Sequence, residues 1–349
     1  MITFYFLFFD RINKKKLVIL NDCMICKQIK YFLITIFLIG VTPVFYFLGA
    51  YQSELNSIQF QRQNEAKHQI NFSQKEVYSI ASKLGTSLKL LSGNRVLLQF
   101  IQDPSLKNRE LLESLWALTA TNYSYISQVR FIGVDGKEIS RINDDNNTIT
   151  ITPNDELQDK SNRDYFIYAQ TIKADALGFF GIDLEIEHGK VVTPPKPSLR
   201  IFTPVEIDNE RKGYLFFNLD VYEVVAKVEA SIEDGYRLEF VNEEGYYLAS
   251  QDKRKTLGHL IVERDSYNIL IETPELWKKM KTQNAGEFLD NQFFYSYSKV
   301  MLGGDFDSRS LYLILTSDNN LAATNLNHKL TFIIYESILA MIILLLFRS

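Results

Sequence analysis

The spacing of apolar and polar residues changes character along this chain, and each spacing predicts a different element. From Tyr31 to Ser53 the run YFLITIFLIGVTPVFYFLGAYQS carries no charge. At 1.5 Å per residue such a run crosses a hydrocarbon core of about 30 Å, so a transmembrane helix is expected over residues 31–51. Beyond it Ile70, Val77, Ile80, Ala81, Leu84, Leu88 and Leu91 fall mostly at three- and four-residue steps with no proline between them, which is one face of a helix. A stalk helix is expected over residues 52–94; a helix of about 40 residues is roughly 60 Å long. Asp103-Pro104 closes the short helix that follows, and NRELLESLWALTATNY resumes one.

The period then drops to two. SQVRFIGVDGKEISRIN alternates around Asp135-Gly136, a hairpin signal. SNRDYFIYAQTIKADA reads as a short amphipathic helix, and GFFGIDLEIEHG, SLRIFTPVEID and KGYLFFNLDV as three strands, closed by the helix VYEVVAKVEAS. A shorter version of the pattern follows. YRLEFVNEEGYYLAS is a hairpin around Glu244-Gly245, TPELWKKMKTQ a helix, and GEFLDNQFFYSYSKVML and SLYLILTSDN strands. The fold class expected is α+β, with two antiparallel-sheet units in series, residues 95–232 and 233–320, after the stalk. LTFIIYESILAMIILLLF, residues 330–347, is a second uncharged span apart from Glu336 and is closed by Arg348. Glu336 reads either as a helix contact or switch, or as an acid reaching the interface.

Charge orients this arrangement. Arg11, Lys14, Lys15, Lys16, Lys27 and Lys30 precede the first span, which puts residues 1–30 in the cytoplasm and the long middle portion outside, as expected of a multi-pass protein of a bacterial inner membrane. A cleaved signal peptide is the competing reading, against which the run is too long and Leu48-Gly49-Ala50 a poor cleavage site. A start at Met24 leaves a tidier basic leader, which makes MITFYFLFFDRINKKK a candidate for non-native upstream sequence. Both cysteines, Cys23 and Cys26, lie in the leader, so the outer portion relies on its core rather than on disulfides. The net charge of −4, without a basic stripe carrying interleaved aromatics, argues against nucleic acid. Catalysis draws no support: His68, His188, His259 and His328 lack ligand spacing, no cofactor motif is present, and GGDF at Gly303–Phe306 is one residue short of a cyclase signature.

Together these segments resemble the double Cache sensor domains, tandem PAS-like extracytoplasmic modules of bacterial histidine kinases, diguanylate cyclases and chemoreceptors. The likeness rests on Gln128, Arg130, Glu138 and Arg141 in the first hairpin, and on Arg163-Asp164-Tyr165-Phe166 at a helix. It rests further on the run from Asp183 through Pro197, Arg200 and Pro204, on the strand from Gly213 to Asn218, and on Gly245-Tyr246-Tyr247-Leu248. The resemblance implies a distal ligand pocket, a homodimer, and a small-molecule ligand or periplasmic binding protein as partner, with no cofactor. Glu185 stands where one subgroup carries Asn, and Asn218 stands where amino-acid-binding members carry an aspartate for the ligand ammonium. The second departure weakens the case for an amino-acid ligand.

Arg163, Tyr165, Asp183, Arg200 and Asn218 are the expected ligand-binding residues. A guanidinium offers a fork to a carboxylate or phosphate, and Tyr165 an aromatic wall; a helix-surface charge is the alternative for Arg163. Arg200 sits between Leu199 and Ile201 and needs a partner if buried, so it either bridges to Asp183 structurally or frames a polar ligand with it. Asp183, Glu185 and Glu187 alternate with Leu184 and Ile186 on one strand, which predicts a solvated face for Glu185 and Glu187, while Asp183, after GFFG, adjoins the expected pocket. The function expected is a membrane-anchored sensor that transmits a conformational signal. A tethered binding or scaffold protein is the alternative. Since the sequence ends one residue after Arg348, a truncated product, a sensor with a separate cytoplasmic output protein, and a split kinase or cyclase all stay open.

Overall fold

The computed structural model describes residues 24–37, 42–145, 148–290, 292–302, 310–318, 330–339 and 342. The chain divides into two compact units, Glu65–Asp318 and a second made of Met1–Asn64 with Asn319–Ser349. In the latter, the described part of the first apolar run lies in α1 (Met24–Ile36) and the beginning of α2 (Thr42–Ser92). Among the described residues no helix is long and apolar enough to cross a membrane. Residues 330–339 are helical; the remainder of the expected second span lies largely outside the described residues, as does GGDF.

Glu65–Asp318 is built on the predicted helical face. Ala66, Ile70, Val77, Ile80, Leu84, Leu88 and Leu91 of α2 are buried. They form one apolar cluster with Leu97 and Phe100 of α3 (Arg95–Gln102) and Leu112, Trp116 and Ala120 of α4 (Leu106–Asn122). Asn94 caps α3, its side chain accepting from the Val96 N–H at 2.8 Å.

Against this cluster lie two antiparallel sheets. The first has the order β3-β2-β1-β8-β7-β4, from β1 (Ile126–Gly133), β2 (Glu138–Asp145), β3 (Thr148–Ile151), β4 (Gly178–Leu184), β7 (Pro197–Ile207) and β8 (Glu210–Asp220). Its inner face, including Val129, Phe131, Ile201, Leu215 and Phe217, joins the helical cluster. Alternation then turns Gln128, Arg130, Arg200, Phe216 and Asn218 to the other face, over which α5 (Asp164–Ala169) packs Tyr165, Phe166 and Ala169. The second sheet follows α6 (Val221–Glu229). It has the order β10-β9-β13-β12-β11, from β9 (Tyr236–Asn242), β10 (Tyr247–Ala249), β11 (Ala285–Leu289), β12 (Phe293–Met301) and β13 (Ser310–Asp318). Leu238, Phe240, Leu313 and Leu315 extend the shared cluster, while Tyr247, Tyr297, Tyr312 and Ile314 pack on the other side against Leu276, Trp277 and Met280 of α8 (Pro274–Thr282), which follows the short α7 (Ile269–Glu272).

One expectation is corrected here. The strand carrying Asp183 does not run on through Glu187, because pairing with β7 ends at Leu184 opposite Pro197. Pro194 and Pro195 have no N–H to continue the ladder. The chain leaves the sheet and forms a small hairpin, β5 (Ile186–Glu187) with β6 (Lys190–Val191), turning through His188 and Gly189 at φ of 49° and 77°. Glu185 and Glu187 are therefore half-buried on a strap rather than solvated on a strand.

The predicted turn between β1 and β2 sets the loop that follows. Gly136 has φ of +87°, and a Cβ there would lie 2.5 Å from Ser161 Cα; the Gly136 carbonyl accepts from the Lys160 N–H at 2.8 Å. Gly136→Ala is expected to lower unfolding stability by about 1–3 kcal/mol, through backbone strain and displacement of Ser161. Chemical denaturation of the purified chain checks this.

Candidate functional site

Strand register assembles the site from residues far apart in sequence. One row across the first sheet reads Asn143, Gln128, Asn218, Arg200, Phe180, and the next reads Arg141, Arg130, Phe216, Phe202, Gly178. The first row is polar through its middle; the second passes from guanidinium groups to aromatic rings.

The polar groups form a continuous circuit. Glu185 Oε1 accepts from the Gln128 amide at 2.7 Å, Gln128 Oε1 from Asn218 at 2.8 Å, and Asn218 Oδ1 from Arg130 Nη2 at 2.6 Å. Arg130 Nη1 then donates to Glu138 at 3.1 Å, and Glu138 also takes Arg141 Nη1 at 3.4 Å and the Gln158 N–H at 3.0 Å. Arg141 reaches Glu187 at 3.0 Å, Gln158 donates a short hydrogen bond to the same carboxylate, and Lys160 Nζ donates to Gln158 Oε1 at 2.9 Å. Beside it, Asp183 accepts a short bond from Arg200 and lies 3.8 Å from Arg163. The Tyr165 ring sits among three guanidinium groups, 4.4 Å from Arg200, 5.3 Å from Arg130 and 5.6 Å from Arg163. Each such cation–π contact is worth up to about 2 kcal/mol when desolvated.

All five expected residues thus meet in one place: Asp183 pairs with Arg200 and Arg163, and Asn218 lies buried between Gln128 and Arg130. The structure joins to them Gln128, Arg130, Glu138 and Arg141, which the sequence tied to the hairpin rather than to the ligand, Glu185 and Glu187, which it placed on a solvated face, and Gln158 and Lys160, which it did not single out. Arg130 had a readable signal, since it alternates with Gln128 on a strand whose flanking residues are apolar. Lys160 had none. Outside the circuit, a cleft of 460 Å³ is lined by Asn162, Arg163, Asp183, Ile186, Val191 and Leu260 among others, within the usual range for small-molecule sites.

Known proteins share this fold. A family model described as "Bacterial histidine kinase, sensor domain" matches residues 60–315. The chain belongs to the bacterial histidine kinase sensor-domain family. A domain of a protein named for the sensory box/GGDEF family, from Vibrio parahaemolyticus, is similar at 30% identity with a TM-score of 0.69, over 74% of this chain and 96% of that one. The extracellular domain of vpHK1S-Z8, named as a histidine kinase, is similar at 28% identity with a TM-score of 0.68, over 75% and 94% of the two chains. The ligand-binding domain of the Pseudomonas fluorescens chemoreceptor CtaA, solved with L-serine, shares the fold at 12% identity and a TM-score of 0.50, over 75% of this chain and 99% of that one. No curated protein sequence matches. The resemblance to double Cache domains is borne out, and the circuit lies within the matched span.

Burial and pairing set the ionisation of this sensor domain's site. Burial pushes the Glu185 carboxyl up, and repulsion from Glu187 adds to that. Burial also pushes Glu187 up, but Arg141, Lys160 and the Gln158 hydrogen bond outweigh it and hold that carboxyl below its ordinary value. Burial pulls the Lys160 ammonium down to about 8, with Arg130 adding repulsion.

Two outcomes follow. Arg130→Met leaves the Glu138 carboxylate, whose side chain is 0% exposed, without its nearer guanidinium partner. The expected loss is about 3–5 kcal/mol in urea unfolding, the usual effect of breaking a buried pair. For Lys160, the unfolded chain keeps its proton up to about 10.5 and the folded chain only up to about 8. Between those values the unfolded state binds more protons, so this group makes stability rise with pH. Lys160→Met is expected to remove that rise, as read from unfolding free energies of both proteins across the same pH interval.

Proposed function

We propose that this protein is the extracytoplasmic sensing part of a membrane-anchored receptor, which binds a small ligand on the outer face of the first sheet and passes a conformational change to its second apolar segment. The observation that carries this reading is the circuit of charged side chains kept from water under the strap, beside a cleft of ligand size. A purely structural sheet has little need for such a cluster, because burying a pair is often no better for stability than burying apolar groups. Family membership and the extracellular origin of vpHK1S-Z8 support the location. The L-serine bound to CtaA supports a small ligand in this fold, although Asn218 here offers no carboxylate to an ammonium.

In this reading residues 31–51 and 330–347 anchor the chain, with the basic flank inside. Residues 95–232 form the membrane-distal unit and 233–320 the proximal one, two copies pair through residues 52–94, and a cytoplasmic kinase or cyclase receives the signal. The ligand acts by binding one of two arrangements better than the other, since equal affinity for both shifts nothing.

The test is a thermal-shift screen of the purified full chain against carboxylates, amines, amino acids, polyamines and sugars, repeated with Arg163→Ala and Arg200→Ala. A ligand at about 100 times its Kd is expected to add about 2.7 kcal/mol of stability, and both variants are expected to lose that gain. A cooperatively melting protein that responds to no class of compound refutes small-ligand sensing. The anchor is checked separately: the chain is expected to stay with membranes through an alkaline carbonate wash, and its release would refute membrane insertion.

A further inference from the structure

The charges in the circuit and its Asp183 branch do not balance. Five cations, Arg130, Arg141, Lys160, Arg163 and Arg200, stand among four carboxylates, Glu138, Asp183, Glu185 and Glu187. Glu138, Asp183 and Glu187 each form ion pairs. Among the described residues Glu185 forms none, and its carboxylate takes only the Gln128 amide. Lys160 likewise has no ion pair and one acceptor for its three donors. Two further donors point to the same deficit: Nε of Arg130 and Nε of Arg200 are buried without a partner, in side chains 2% exposed. Such groups normally find acceptors, because an unmet buried donor carries its full desolvation cost.

Glu185 is also the removable member. Gln128, Arg130, Asn218 and Arg200 are on paired strands of the sheet, whereas Glu185 begins the strap. Two backbone bonds hold it there, from its own N–H to the Lys196 carbonyl at 2.9 Å and from the Val192 N–H to its carbonyl at 3.0 Å. The strap's tip is exposed at His188, Gly189 and Lys190, and its Ile186 and Val191 line the 460 Å³ cleft. Burial and the neighbouring Glu187 disfavour the charged form of Glu185 in place, so release to water relieves it.

We infer that Glu185 occupies the position of a ligand carboxylate, and that the sensor takes a small organic carboxylate which displaces Glu185 from Gln128 and loosens the strap at its base, Glu185 and Val192, while Glu187 stays on Arg141 and Gln158. The inference rests on the sensing role proposed above and names its ligand class. The excess of cations favours an anion at this position, the incoming carboxylate brings acceptor oxygens to the unmet guanidinium donors, and Glu185 regains hydration. Binding and loosening of the strap are then one event, which gives the ligand the differential affinity that a switch requires.

The experiment titrates the purified full chain with acetate, lactate, succinate and citrate at matched ionic strength, with L-serine as a carboxylate that also carries an ammonium, and putrescine for contrast. It reads melting temperature together with amide hydrogen exchange. At least one carboxylate is expected to stabilise the wild type and to speed exchange at the amides of Glu185 and Val192, whose bonds hold Glu185 in place. Glu185→Gln, which removes the competing charge, is expected to bind that carboxylate about tenfold more tightly. A response to putrescine with none to any carboxylate, L-serine included, overturns the inference and leaves the sensing role standing. Carboxylate binding with unchanged affinity in Glu185→Gln and unchanged strap exchange overturns the displacement. Silence toward all six compounds overturns the inference too, with the sensing role then decided by the wider screen. If Glu185→Gln fails to fold, strap exchange in the wild type decides.

Discussion

Two guanidinium groups almost wholly withdrawn from water, those of Arg130 and Arg200, set the terms for everything around them. Desolvating a cation costs several kcal/mol unless charge and hydrogen bonds replace the lost water. Each arginine therefore draws a carboxylate to itself, Glu138 for Arg130 and Asp183 for Arg200. Glu138 in turn collects Arg141 and the backbone of Gln158, so the loop after β3 is tied to the sheet by the same requirement. Tyr165 answers it from the other side, placing the face of a buried ring against both cations.

The site is consequently a sheet face of two halves. Phe202, Phe216, Tyr214 and Phe166 form a dry aromatic half that packs α5 down, and the guanidinium half is held together by charges rather than by packing. An apolar half tolerates little rearrangement, since close-packed side chains lose contact energy with small displacements. A charged half can exchange one carboxylate for another at little net cost. That asymmetry favours the Gln128–Arg200 end of the face for the proposed recognition.

Much of the fold was legible in the chain because it depends on local periodicity. The three- and four-residue steps of Val77 to Leu91, the alternation around Asp135-Gly136, and the paired hairpin at Glu244-Gly245 each report which side of an element faces the core. The strap was not legible. DLEIE alternates as a strand should, and only the loss of its pairing partner at Pro197 turns Glu185 and Glu187 out of the sheet. Arg130 could have been read from its place among apolar neighbours, whereas Lys160 and Gln158 lie in a loop whose path is set by contacts with Gly136 and Glu138.

The sequence by itself determined the two sheets, the helix that supports them, the family, and five of the residues that meet at the site, because hydrophobic period, turn residues and short motifs are properties of neighbours along the chain. Only the tertiary structure decided which charges pair, which donors are left unmet and which carboxylate bonds an amide instead of a cation. Those depend on strand register and burial, which bring Gln128 beside Asn218 and Glu185 across intervals of 90 and 57 residues. No local pattern encodes a contact of that span.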